Sequence, residues 1–309
     1  MKSCYKRTAI RFLYSALACV LLTGCFAKQP VKSAAQIGSA KAALVVDAQN
    51  KSGLPDNFRI ADSRYIQKKR EKKGRMIDTH GLSGLHISGS AQFSQKQLPA
   101  IKKAIGFHNI IIVDLRQEPH GFVNGSAVSL MDKDDKINKG QNDSESEKSQ
   151  THFLAAFKIG ASVRFNGQSP VTVRSVTSEA QLINSSGMTY LRLPVTERER
   201  PDDSTIDALL EALRCIPKNS WLHFHCKAGQ GRTTTFMSII DMKYNAKTVP
   251  FEDILYRQYL IGGLDLTDRT TGEDVEGRLR FLQAFYQYCR SNTDNFGTVW
   301  SVYHKAHPF

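Results

Sequence analysis

One short stretch constrains this chain more than any other: His225-Cys226-Lys227-Ala228-Gly229-Gln230-Gly231-Arg232-Thr233. It follows Trp221-Leu222-His223-Phe224, an apolar run of strand length, and precedes Phe236, Met237 and Ile240 at helical spacing. A strand, a glycine-containing turn and a helix in that order belong to an α/β layer architecture. The turn is also a coherent anion trap. Gly229 and Gly231 let the backbone bend so that the N–H groups from Lys227 through Ala228 and Gln230 to Gly231 point inward, and the following helix adds its positive end. A thiolate at Cys226 is stabilised by those amides and by the guanidinium of Arg232, and it meets a bound phosphoryl group as a nucleophile. Arg232 suits the task better than lysine because its planar fork grips two oxygens at once, and the Thr233 hydroxyl can bond the sulfur and help it leave. The competing reading, a buried structural cysteine beside a surface arginine, leaves the glycines and the hydroxyl without a purpose.

The rest of the chain alternates in type. Asn109–Leu115 is a short β-branched run expected of a strand buried on both faces, and Thr189–Leu193 is another strand candidate. Ile206, Leu209, Leu210 and Leu213 lie at helical spacing over Ser204–Arg214, behind Asp203 or Ser204 as a cap. Two later helices are read from Phe251, Ile254, Leu255 and Tyr259, and from Val275, Leu279, Leu282 and Tyr286. Strands alternating with helices predict helices on both faces of a sheet. Residues 153–190 differ: Val163, Phe165, Val171, Val173 and Val176 alternate with polar residues, which predicts a small antiparallel β element. Two charged segments read as surface. The basic run Gln67–Arg75 is expected as a solvated loop, with guidance of anions as its alternative, and Asp132–Gln150 as a mobile polar insert.

The N-terminus reads as a targeting segment. Lys2, Lys6, Arg7 and Arg11 precede an apolar run, Phe12–Leu22, too short to span a bilayer. It ends in Leu22-Thr23-Gly24-Cys25, which resembles the lipobox of bacterial lipoproteins. The expected layout is a signal peptide over 1–24, a lipidated Cys25, a tether over 25–52 and a folded domain over 53–309. This implies export and a lipid anchor in the cell envelope, at the periplasm or outer membrane; an ordinary signal with a fortuitous cysteine is the alternative. Loss of the signal takes the formal charge from +13 to +9, a field that concentrates anions without choosing among them. No nucleic-acid motif accompanies the charge, so no nucleic-acid partner is expected. Cys215, Cys226 and Cys289 remain, and no Cys/His spacing suggests a metal.

Trp221–Asp241, reading WLHFHCKAGQGRTTTFMSIID, closely resembles the protein-tyrosine-phosphatase-like inositol polyphosphatases of bacteria, the cysteine phytases. Supporting stretches are Asn57-Phe58-Arg59, Leu85–Ala91, Asp114–Glu118 with His120-Gly121-Phe122, Ile254–Gln258 and Trp300-Ser301-Val302. Together they cover nearly everything from residue 54 onward. The resemblance implies a tyrosine-phosphatase-like α/β sheet flanked by helices and carrying a small partial β-barrel. It also implies hydrolysis of inositol polyphosphates through a phosphocysteine intermediate, with no metal or other cofactor. Carried over residue by residue, Cys226 is the nucleophile, Arg232 the phosphate clamp and Arg59 a substrate-binding cation, and Asp114 borders the pocket.

Three departures qualify the match. Where the family's acid loop reads Thr-Asp-His, this chain has Thr196-Glu197-Arg198, so Glu197 is in register as general acid and base; Glu199, Asp202 and Asp203 are alternatives, each also readable as a surface carboxylate or helix cap. Lys227 replaces an acidic residue of several relatives and resembles the loop lysine of phosphoinositide phosphatases, favouring a multiply phosphorylated substrate; a solvated surface lysine is the alternative. The loop after Gly263, with Asp265, Asp268 and Arg269, is shorter and less lysine-rich than in phytases. Competing readings are a phosphotyrosine or phosphoinositide-lipid phosphatase and, from another class, a phosphate-binding protein that has lost catalysis.

Overall fold

The computed structural model describes residues 42–133, 136–270 and 274–308. Its larger sheet has five strands in the order β10 (Thr189–Val195), β4 (Asn109–Arg116), β11 (Ser220–His225), β3 (Ile87–Ser90) and β2 (Arg59–Ile60). The first four run parallel, and β2 is antiparallel to β3. Alternation along the strands divides the core in two. Ile111, Val113, Leu222 and Phe224 join the cluster under α4 (Asp203–Cys215), α5 (Gly231–Asn245), α6 (Phe251–Leu260), α7 (Val275–Ser291) and α8 (Trp300–Ala306). Ile110, Ile112 and Trp221 face the opposite way, against α1 (Leu98–Ile105) and α3 (Glu179–Ser185). Both faces are thus covered by helices, as parallel strands require.

The second sheet is antiparallel, in the order β1 (Ala42–Ala48), β6 (Ser126–Asp132), β5 (His120–Val123) and β9 (Val176–Thr177). Its small core gathers Leu44, Val128, Phe153, Phe157, Phe165 and Val173.

Register places the site. His225 pairs with Asp114 on one side and Ser90 on the other, so β3, β4 and β11 run out together at their carboxyl ends. In parallel sheets that edge is where connecting loops converge on a ligand. Here it collects Ala91 after β3, Glu118 after β4, Glu197 after β10 and Cys226 after β11.

Three expectations need correction. The tether expected over 25–52 does not hold for Ala42–Ala48, which pairs with β6 as a full strand; residues 1–41, where the signal peptide and Cys25 are expected, lie outside the described residues. The polar insert contains α2 (Asp143–Ala155), started by a capping box in which Asn142 and Glu145 satisfy each other's backbone N–H groups. The β element expected within 153–190 supplies only the two-residue strands β7 (Ser162–Val163), β8 (Val171–Thr172) and β9; the long strands of that sheet come from 42–48 and 120–132. The basic run is solvent-facing as expected, with Lys68, Lys69, Lys72 and Lys73 exposed, and it is pinned to the body at two arginines. Arg70 donates to the carbonyls of Tyr259 and Gly263 at the end of α6, and Arg75 lies 4.0 Å over the Tyr256 ring.

Candidate active site

The loop after β11 is shaped by what its carbonyls bind. Lys227 O accepts from Gln92 N (3.1 Å), Ala228 O from Asn57 Nδ2 (2.9 Å) and Gly229 O from Arg59 Nη1 (2.8 Å). A trans peptide sets N–H opposite C=O. With these carbonyls turned outward, the amides of Ala228, Gly229 and Gln230 face the hollow. Gly229 is irreplaceable: its φ is +69°, and a Cβ there meets Ala91 N and Ser90 C at 2.3 Å. Gly231 opens α5, whose amino end points at the same hollow.

Below the loop, β11 is bolted to β3. His223 bridges the hydroxyls of Ser88 and Ser90 at 2.9 and 3.0 Å, and Trp221 Nε1 donates to Ser88 at 2.8 Å. Burial, then the charges of His225 and Arg59, push His223 down to about 3, so it sits neutral between the two serines.

The chemical groups meet at the loop's rim. Thr233 Oγ1 lies 3.2 Å from Cys226 Sγ. Arg232 is buried, and its outer edge is gripped by Glu118: Nη1 to Oε2 at 2.8 Å and Nη2 to Oε1 at 3.1 Å. Glu197 also bonds Arg232 Nη2 through Oε2. Burial alone raises a carboxyl, but Arg232 and Arg116 hold Glu118 well below the usual carboxylate range. Lys227 completes the cleft, which Glu118, Ser129, Leu130, Met131 and Glu197 line with it; its Nζ contacts Met131 Sδ. Among the described residues, no group of three or more His, Cys, Asp or Glu side chains is placed to hold a metal ion.

Comparison with known proteins bears on this arrangement. A family model for PTP-like phytases, described as inositol hexakisphosphate, matches residues 159–244. The PTP-like myo-inositol phosphatase of Mitsuokella multacida, solved with myo-inositol-(1,3,4,5)-tetrakisphosphate, superposes with a TM-score of 0.80 at 34% identity, over 87% of this chain and 48% of that one. A PTP-like phytase from Bdellovibrio bacteriovorus superposes with a TM-score of 0.68 at 29% identity, over 91% of this chain and 98% of that one. The chain belongs to the PTP-like phytase family. Effector protein hopD2 of Pseudomonas syringae pv. tomato is 30% identical over 73% of this chain and 52% of its own length. The chain thus spans about half the length of the effector and of the Mitsuokella protein.

Two residues expected to bind substrate are buried and bonded to protein groups. Arg59 is 1% exposed; Nη1 also bonds Asn57 O (3.0 Å), and Nη2 bonds Thr234 Oγ1 (3.0 Å). It braces the loop from behind. Burial lowers Arg59 to about 10, opposed by the charge of Cys226. Asp114 is fully buried and committed: Oδ1 accepts from Arg116 N at 2.8 Å, Oδ2 accepts from Tyr190 Oη at 2.6 Å, and His120 Nε2 stands 3.1 Å from Oδ2 as an ion-pair partner. Burial raises its carboxyl, but His120, Arg192 and His225 outweigh that and keep it ionised. His225 meets Glu179 at 2.6 Å in the same buried cluster.

Of the candidate acids, Glu197 alone contacts Arg232 among the described residues. Glu199 is held by Lys136 (2.7 Å) and Lys139 (2.5 Å). Asp202 is the residue preceding α4, and Asp203 takes Trp300 Nε1 (2.9 Å) and His304 Nδ1 (2.7 Å). Glu118 was not singled out by its chemistry. Its signal was present all the same: Asp114 and Arg116 in an otherwise apolar strand demand buried partners, and Glu118 lies two residues beyond.

Proposed function

We propose that the chain is an inositol polyphosphate phosphomonoesterase working through a phosphocysteine. The observation that carries this reading is the placement of Cys226, with Thr233 on its sulfur, in a ring of inward amides beside an Arg232 whose outer edge is already filled by Glu118. Arg232 Nε is buried with no protein acceptor, so Nε and Nη2 form the edge left for two phosphate oxygens. Glu197 Oε2 stands on Nη2 and must turn away as phosphate arrives. Its carboxyl is then beside the bridging oxygen. The Cys226 sulfur attacks phosphorus in line, the P–O bond to the inositol breaks, and Glu197 gives its proton to the departing alkoxide. Water then attacks the phosphocysteine, Glu197 takes the water's proton, and the sulfur leaves as a thiolate stabilised by Thr233 and the loop amides.

Lys227 and the tetrakisphosphate bound by the Mitsuokella relative favour a multiply phosphorylated ring over a phosphopeptide. The test compares kcat/KM on inositol hexakisphosphate, a phosphotyrosine peptide and a phosphoinositide, with Cys226→Ser as control. Preference for inositol phosphates and loss of turnover in the variant are expected. Preference for the peptide ends the substrate assignment, and turnover by the serine variant ends the cysteine mechanism. The proposal extends to attachment of the exported protein to the envelope through acylated Cys25, checked by fatty-acid labelling that Cys25→Ala abolishes.

A further inference from the structure

β1 brings one buried acid to the site. Asp47, whose side chain is 1% exposed, accepts from Arg116 Nη1 at 2.9 Å. The same Nη1 donates to Gln92 Oε1 at 2.7 Å, and Arg116 Nε reaches Glu118 Oε1 at 2.7 Å. That oxygen is shared, since Arg232 Nη2 also donates to it at 3.1 Å. Asp47, Arg116, Glu118 and Arg232 therefore form a buried line of alternating charge that starts on the antiparallel sheet and ends on the phosphate clamp. Gln92 ties the line to the loop, because its backbone N–H donates to Lys227 O.

Two guanidinium groups compete for one carboxylate. An unrestrained Arg116 can take both Glu118 oxygens in a bidentate fork. Asp47 and Gln92 fix the orientation of the Arg116 guanidinium through Nη1, so that Nε reaches Glu118 Oε1 while Nη2, buried without a protein acceptor, does not engage Oε2, which is left to Arg232 Nη1 at 2.8 Å. We propose that Asp47 is a positioning residue for the phosphate clamp: by restraining Arg116 it leaves Glu118 to orient Arg232. This rests on the phosphatase reading of the site. On this view the strand that precedes the sheet's other elements is part of the catalytic machinery, although Asp47 touches no substrate.

The experiment uses the full chain with Asp47→Asn, which keeps the shape and removes the charge, and Asp47→Glu, which keeps the charge. Inorganic phosphate affinity is read from protection of Cys226 against iodoacetamide, and turnover from an aryl phosphate. Asp47→Asn is expected to weaken phosphate protection and kcat/KM by about tenfold, and in a Glu118→Gln background to change either by less than about twofold, because coupled residues are not additive. Asp47→Glu is expected to recover at least part of the phosphate affinity. Multiplying effects of the two substitutions, or a fall in melting temperature with phosphate protection unchanged, overturns the relay. The protection assay requires no turnover, so failure of the relay and failure of the phosphatase reading are distinguishable.

Discussion

Two loops meet at this site, and they are built differently. The phosphate loop is held by its backbone: consecutive carbonyls are taken by Gln92, Asn57 and Arg59, and Gly229 packs against the Ser90–Ala91 peptide. The acid loop is held by side chains that reach it from far along the chain. Thr196 Oγ1 bonds Gln117 (2.8 Å), Glu199 bonds Lys136 and Lys139, and Arg198 sits at φ +64°, a left-handed conformation that a non-glycine residue adopts only when its surroundings impose it. Gln117 is itself fixed from the same insert, by Asn138 Nδ2 on its carbonyl and by its own bond to Gln141 O. A cup of peptide dipoles tolerates little change, whereas a loop clamped through exposed ion pairs can be adjusted gradually.

Substitutions should separate the two loops by size and by substrate. The largest effect is expected for Arg232→Lys, which replaces a fork seated on Glu118 with a point charge: kcat should fall on the order of 10³-fold on aryl and inositol phosphates alike. A substrate-selective loss would show that the clamp does not serve both leaving groups. Next comes Glu197→Gln. Loss of the proton donor should lower kcat on inositol phosphates by about 10²-fold or more and on an aryl phosphate by less than about tenfold, because an aryl oxide leaves with little help. Equal losses would remove Glu197 from the acid role.

The support behind the phosphate loop should also respond to alkali. Burial lowers His120, but Asp114, with hydrogen bonds to Asp114 and Glu179, lifts it from 6.5 to about 9. A raised value means that His120 contributes stability fully below pH 6.5 and loses it as pH rises through about 9. Urea midpoints measured from pH 6 to 10 should therefore fall on the alkaline side, and His120→Gln should flatten that fall. The smallest effect belongs to Glu199→Gln. Burial opposes ionisation, but Lys136 and Lys139 hold the Glu199 carboxyl below its ordinary value, so the clamp persists above pH 4.5 and is lost as pH falls through the lowered value. At neutral pH the variant should lose about twofold to fivefold on inositol phosphates, with the aryl phosphate unaffected, as fits an ion pair open to solvent.

Much of the frame was legible because it depends on local pattern. Asn109–Leu115 reads as a buried strand because Ile110, Ile111, Ile112 and Val113 give it two apolar faces, and it runs one residue further, to Arg116. The helix read as Ser204–Arg214 is Asp203–Cys215, and Asp203 pairs with Trp300 and His304 rather than capping. The tether was misread because Ala42–Ala48 has an ordinary composition; only the facing register of β6 makes it a strand. The exposure of the basic run was legible, but pattern alone cannot place Tyr256 and Tyr259 beneath Arg75 and Arg70.

Cys226, Arg232 and Thr233 were determined by the sequence itself, since a strand, a tight turn and a helix set their spacing within a few residues. Which charges surround them was decided only in three dimensions. Arg59 and Asp114 are buried among protein partners, Glu118 reaches Arg232 from the turn after β4, and Asp47 reaches Arg116 from β1. The physical reason is that a buried charge is stable only where its partner lies, and partners distant in the chain are brought together by packing, which local spacing does not encode.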